Sequence, residues 1–225
     1  ARGDSLCLLG RDLDDLGRSA ADLRVRGGDK VVVTVASCDL EQPEGFDDAL
    51  ATAEQSLGGL ESVVVTAGMF ATQDALEADA KLLRRMLDVD FTATVLLCEA
   101  ARRRLLARGG GTLCVFSSVA GERGRKPVVL YGAAKAGLSA YLEGLDHRYH
   151  AAGLRVVCVK PGFVKTGMTA GLKPPPFAGE PDDVAKSVMR AIDRGSPVVY
   201  APGIWRWVMM VIRALPRFVM RRIGF

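Results

Sequence analysis

The sequence predicts a doubly wound α/β fold, a parallel sheet with helices on both faces. Three observations carry that reading. Short β-rich runs alternate with longer helical patterns, Gly or Pro stands at most junctions, and a composition 49% hydrophobic and 25% charged is that of a chain that buries a core. The strand candidates are residues 5–9, 30–36, 62–66, 112–117, 154–160 and 197–201. The helix candidates are residues 12–26, 45–57, 79–107, 128–152, 181–194 and 204–222. At 225 residues the chain suits one domain, expected over residues 1–225, without repeat, linker or low-complexity segment. In such a sheet ligands bind beyond the carboxyl ends of the strands, which directs attention to the residues just after each strand.

The formal net charge of +4 invites a nucleic-acid or anionic-surface reading, but the excess is local. Residues 196–225 hold Arg206, Arg213, Arg217, Arg221 and Arg222 and no Asp or Glu, a charge of +5, which leaves −1 for the rest of the chain. No nucleic-acid partner is expected. Cys7, Cys38, Cys98, Cys114 and Cys158 are widely spaced, several inside apolar runs, with neither metal spacing nor a disulfide framework. Buried thiols in a reducing cytosol are therefore expected, and no metal. The chain opens on Ala1-Arg2-Gly3-Asp4 with no initiator Met, signal peptide or transit peptide, so a further segment is expected upstream.

Tyr131 and Lys135 stand four residues apart on a helix candidate, which puts both side chains on one face. A phenol ordinarily loses its proton near pH ~10, and a neighbouring ammonium favours the phenolate. Alone the pair means little: 4 Tyr and 8 Lys in 225 residues give about 0.14 such pairs by chance. Ser118 lies thirteen residues earlier, at the end of the apolar run TLCVFSS, where a strand would deliver its hydroxyl to the sheet edge. There it would hydrogen-bond a carbonyl oxygen on which charge develops. In isolation a turn-capping serine is the better reading. Strand end and helix face together favour a site.

At this point the chain resembles a known family, the short-chain dehydrogenases/reductases, in their smaller single-domain group. The resemblance runs through nearly the whole chain: Cys38-Asp39-Leu40, Thr66-Ala67-Gly68, Ser118, Tyr131-x-x-x-Lys135 and Pro161-Gly162-x-x-x-Thr166, each after the expected element. It implies a Rossmann fold and interconversion of a ketone and a secondary alcohol. By resemblance, Tyr131 is the general acid in reduction and the base in oxidation, Lys135 lowers its pKa and holds the nicotinamide ribose, and Ser118 orients the carbonyl. Asp39 would accept a hydrogen bond from the adenine amino group with Leu40 beside the ring. Ala67 and Gly68 would bring backbone close to the cofactor, and Thr166, after Pro161 and Gly162, would contact its carboxamide or pyrophosphate. A homodimer or homotetramer is also implied.

Arg11 follows Gly10 at the tip of the first strand candidate, where NAD-binding folds commonly place an acid and an arginine accommodates a 2′-phosphate. NADP(H) is expected ahead of NAD(H). The competing view makes Arg11 a solvated helix-start residue. Two departures from the family pattern stand out. No Gly-x-x-x-Gly-x-Gly turn precedes Arg11; Gly27-Gly28 and Gly109-Gly110-Gly111 both sit before strands. The first residues resemble the end of the helix that follows such a turn, so one strand and most of one helix, roughly 20–30 residues, are expected to be missing. Asp90 stands where the family usually has an Asn that helps hold a relay water, and an ionised carboxylate accepts hydrogen bonds without donating. Thr66 likewise replaces a common Asn, a milder change.

After Thr166, Met168, Leu172 and Phe177 with Pro174–Pro176 suggest an apolar, stiff substrate-covering loop. Residues 203–225 form a basic amphipathic segment, in which Arg206, Arg213, Arg217 and Arg221 would fall within about 80° on one helix and Pro216 should kink it. It suits either a membrane interface with anionic lipid or a lid over the site or against another subunit, and the arginines interrupt it too often for a spanning helix. The combination is similar to reductases of polyprenyl-phosphate-linked keto-sugars at the inner membrane face. A small-molecule or lipid-linked ketone, a cytoplasmic location and peripheral membrane contact through the last helix follow as expectations. The alternative is a catalytically impaired dinucleotide-binding sensor or a fragment. A serine hydrolase is excluded, since no G-x-S-x-G elbow exists and neither His147 nor His150 follows a strand end.

Overall fold

The computed structural model describes residues 3–28 and 31–224. The strand candidates become β1 (Leu6–Gly10), β2 (Val33–Ser37), β3 (Ser62–Val65), β4 (Gly111–Phe116), β5 (Leu154–Pro161) and β6 (Val198–Ala201). Lys30, where the second run was expected to begin, lies outside the described residues. All pairings are parallel, in the orders β1-β2 and β3-β4-β5-β6. Among the described residues the expected sheet is thus in two pieces, and β1 and β3 each leave one edge unpaired. Val64 on β3 is exposed. A doubly wound sheet of order 3-2-1-4-5-6 without its innermost strand has this appearance.

Side-chain alternation along β4 and β5 builds a core on each face of the four-stranded piece. Leu113, Val115, Val156 and Cys158 point to one side, where α2 (Phe46–Leu57), α5 (Thr94–Ala107) and α6 (Val129–Tyr149) bury Leu50, Ala101 and Leu142. Cys114, Val157 and Val159 point to the other, against Val184, Val188 and Ala191 of α7 (Pro181–Arg194). Cys98, Cys114 and Cys158 are buried free thiols. Helices on both faces explain why β4 and β5 read as unbroken apolar runs.

Local signals set the helix ends. Asp12 caps α1 (Leu13–Gly27) by accepting the Asp15 N–H at 2.9 Å. Helix α7 starts with Pro181 in its first turn beside Asp182 and Asp183 and stops at Gly195 in the left-handed region, φ 64°. Three expectations are corrected. Residues 3–5 form no helix tail, and residues 1 and 2 lie outside the described residues. The helix expected at 79–107 is α4 (Ala80–Leu87), a π-helical turn at Asp88–Ala93, and α5, preceded by the unforeseen α3 (Gln73–Ala78). The terminal helix breaks into α8 (Ile204–Ala214) and α9 (Arg217–Met220), because proline forces the preceding Leu215 into extended conformation, ψ 132°. The arginines therefore do not form one helical stripe.

Candidate active site

Ser117 and Ser118 end the apolar run of β4 with different tasks. Ser117 is buried, and its hydroxyl donates to the Lys135 carbonyl at 2.9 Å and pairs with the Ser139 hydroxyl at 2.7 Å, tying the strand end to α6. Ser118 turns into the loop, where its oxygen accepts the Ala120 N–H at 3.1 Å and opens a short 3-10 turn, Val119–Glu122. The capping role and the site role coexist. Gly121 and Gly132 let this turn lie directly on α6: a Cβ on Gly121 would come 2.6 Å from the Lys135 carbonyl carbon, and one on Gly132 2.9 Å from the Ala120 oxygen.

That approach sets Ser118 beside Tyr131, in the first turn of α6, where the serine hydroxyl favours the Tyr131 phenolate. The Tyr131 ring meets Phe70 edge-on, centroids 5.2 Å apart. Lys135, one turn on and 4% exposed, holds its Nζ 5.7 Å from the Tyr131 ring centroid and 3.5 Å from Asp90 Oδ1. Asp90 hangs from the π-helical turn, fully buried, a common use of such turns. Its Oδ1 accepts the Met69 N–H at 2.9 Å, while Oδ2 is buried without a hydrogen-bond partner among the described residues. A Cβ on Gly68 would sit 2.9 Å from Asp90 Oδ1 and 3.5 Å from Lys135 Nζ, so the glycine makes room for the ion pair.

Electrostatics couples these three buried groups. Burial pushes the Tyr131 hydroxyl above the usual phenol range, the Asp90 charge pushes it further, and only the Ser118 hydrogen bond opposes them. Lys135, by resemblance the group that lowers that pKa, is paired with Asp90. Burial lowers Lys135 against the pull of Asp90, and burial raises Asp90 against Lys135 and the Met69 N–H. An Asn at position 90 would leave the ammonium unopposed.

Towards β1 and β2 the site opens to solvent. Arg11 is exposed and lies 3.8 Å from Glu41, whose carboxylate Arg85 clasps with Nε at 3.0 Å from both oxygens. The Arg85 hydrogen bond holds Glu41 below the usual carboxylate range. Arg11, Asp12, Leu13, Asp14 and Asp39 line a surface hollow. One Asp39 oxygen accepts the Glu41 N–H at 3.0 Å, and Leu40 packs half-buried on the core. Thr66 and Ala67 are exposed beyond β3. Pro161 ends β5, and Gly162 lies against the Trp205 indole with no room for a side chain. Thr166 caps the turn Gly167–Thr169, its N–H donating to Thr169 Oγ1 at 3.1 Å.

Sequence reasoning missed Arg85 and a cluster around Glu122, which is nearly buried at the end of the Ser118 turn. Glu122 pairs with Lys160, accepts the Tyr200 hydroxyl at 3.2 Å and meets Arg213 of α8 at 3.2 Å. Burial alone would raise its pKa, but these partners hold it low. A lysine closing the apolar run RVVCVK was the available signal.

These residues fit a nicotinamide dinucleotide at its two ends. The orphaned Asp90 oxygen and the buried Lys135 ammonium leave polar capacity beside Tyr131, and Arg11 offers a cation at the other end. No residue described between them forms a glycine-rich cradle.

The chain is similar to known proteins over most of its length. Residues 1–176 match the family model described as short chain dehydrogenase. An uncharacterized oxidoreductase of Mycobacterium tuberculosis is 34% identical over 222 residues, 99% of this chain and 88% of that protein. Another, from Streptomyces coelicolor, is 33% identical over 233 residues, covering 99% and 87%. Among solved structures, a gluconate 5-dehydrogenase of Burkholderia cenocepacia in complex with NADP and tartrate superposes with TM-score 0.76 at 16% identity, covering 87% of this chain and 83% of its own.

Proposed function

Because the chain belongs to the short-chain dehydrogenases, oxidoreductases acting on CH–OH and C=O groups, we propose that it is a single-domain, NADP(H)-dependent enzyme interconverting a ketone and a secondary alcohol. One observation carries the reading: Tyr131 stands beside Ser118 at the end of β4 and one helical turn from a buried Lys135. When bound, the nicotinamide supplies the hydride in reduction and accepts it in oxidation. In reduction Ser118 donates to the carbonyl oxygen and Tyr131 delivers the proton there; in oxidation Tyr131 takes it back. Lys135 holds the nicotinamide ribose, and Asp90, tethered by the Met69 N–H, holds a relay water on its unpartnered oxygen.

At the other end Arg11 meets the 2′-phosphate, Asp39 the adenine amino group and Leu40 the ring. Ala67, Gly68, Pro161, Gly162 and Thr166 line the run between. Arg11 is exposed and Arg85 already engages Glu41, which supports NADP(H) over NAD(H). The exposed Met168, Leu172 and Phe177 support an apolar or lipid-linked substrate, met in the cytoplasm at a membrane surface by a homodimer or homotetramer. Among the described residues no helix is long and apolar enough to cross a membrane.

A ketone panel with NADPH and with NADH, run on the native protein and on Tyr131→Phe, tests the reading. Turnover with NADPH that collapses in the variant is expected. Equal residual rates favour a sensor that binds dinucleotide without turnover, and a tenfold preference for NADH removes the role given to Arg11.

A further inference from the structure

We propose that the outward face of α8, with the loop 167–177 beside it, docks on an anionic phospholipid bilayer and holds the mouth of the site against it. The break after Ala214 divides the hydrophobic residues of the tail into two sets. Met209 and Ile212 turn inward and are buried with Val119 of the Ser118 turn. Trp207, Met210 and Val211 turn outward and are 56–59% exposed, and Phe218 on α9 is 61% exposed. At about 100° per residue the outward three span an arc of about 100° on α8, and Arg206 and Arg213 border it on one side. An apolar arc with Trp and a basic border is the form of a helix lying in the plane of a membrane interface.

The surface is fixed relative to the chemistry. Arg213 meets Glu122, Arg123 donates to the Leu215 carbonyl at 2.9 Å, and Lys126 donates to the Arg221 carbonyl at 2.7 Å. Each of these three loop residues follows Ser118 within ten positions. On the other flank the Trp205 indole N–H donates to the Phe177 carbonyl at 3.4 Å, joining α8 to the loop that exposes Met168, Leu172 and Phe177.

Charge selects the occupant. Arg206, Arg217, Arg221 and Arg222 are exposed and have no carboxylate partner among the described residues, while the chain before residue 196 sums to −1. In an isologous contact between two copies these arginines would face their own equivalents. Anionic headgroups neutralise them while the apolar arc enters the acyl boundary. That the ketone then enters from the lipid side rests on the reductase reading; the docking itself does not.

The test is flotation of the full chain with phosphatidylcholine vesicles, with and without phosphatidylglycerol, at low and high salt. Retention on the anionic vesicles, about tenfold weaker on neutral ones and released by salt, is expected. Trp207→Glu with Val211→Glu should lose retention about tenfold or more, and Arg217→Gln with Arg221→Gln should flatten the salt dependence. NADPH binding, followed by calorimetry, should not change in either variant. Absence of retention on anionic vesicles, equal retention on neutral ones, or retention untouched by Trp207→Glu with Val211→Glu overturns the proposal. So does a native dimer that this variant dissociates without any lipid effect. Native protein that floats as expected but neither binds NADPH nor turns over a ketone leaves docking standing and removes the reductase reading.

Discussion

The two ends of the candidate site are built on opposite principles. At the chemical end backbone hydrogen bonds hold Ser118 and Asp90, close glycine contacts seat the Ser118 turn on α6, and Lys135 and Asp90 are buried. At the end proposed for the adenosine, Arg11 and Asp39 sit on surface loops, and Arg11 shares Glu41 with Arg85 in solvent. The difference follows from what each end must do. Proton transfer fails when atoms are misplaced by about 1 Å, whereas attraction between an arginine and a phosphate survives small displacements and is weakened mainly by water and salt. Substitutions at the buried end should therefore appear in rate, and those at the exposed end modestly in affinity.

The largest expected effect breaks the chemical end directly. Tyr131→Phe removes the hydroxyl that stands beside Ser118 on the Lys135 face of α6, and kcat for ketone reduction should fall about 10²–10⁴-fold with NADPH binding retained. A fall in binding with unchanged kcat would erase the contrast. Gly121→Ala comes next. The added methyl meets the Lys135 backbone, the Ser118 turn must lift from α6, and we expect a loss of about 1–3 kcal/mol in thermal unfolding and up to about 10²-fold in kcat.

Asp90→Asn sharpens the comparison through pH. The Asp90 charge raises the Tyr131 pKa, so its removal lets that pKa fall. In alcohol oxidation Tyr131 must be deprotonated, so the rising limb of the rate against pH should move to lower pH, with a severalfold gain near neutrality. Profiles that superimpose would mean Asp90 does not act on Tyr131 electrostatically. The smallest effect belongs to the exposed end: Arg11→Ser should weaken NADPH binding about tenfold or less and leave NADH nearly untouched, as equilibrium titration would read. A larger loss would show that the exposed arginine is more constrained than its surroundings suggest.

Part of this was legible in the chain. Strand and helix positions follow from periodicity and from signals such as Asp12, Pro181 and Gly195, which act within one or two turns. Tyr131 and Lys135 share a helix, so their spacing alone put them on one face. Arg85 beside Glu41, Glu122 beside Arg213 and Gly121 beneath α6 join residues 44, 91 and 14 positions apart, and no local pattern encodes such meetings. The terminal arginines show the boundary most sharply. Their number and a kink at Pro216 were written in the sequence, because composition and proline stereochemistry are local properties. Which apolar residues turn inward to Val119 and which face outward was decided only by tertiary structure, since burial depends on what the rest of the chain brings alongside. The same holds at the centre of the site: the sequence alone named Asp90 as a departure, and only the fold made it the counter-ion of Lys135.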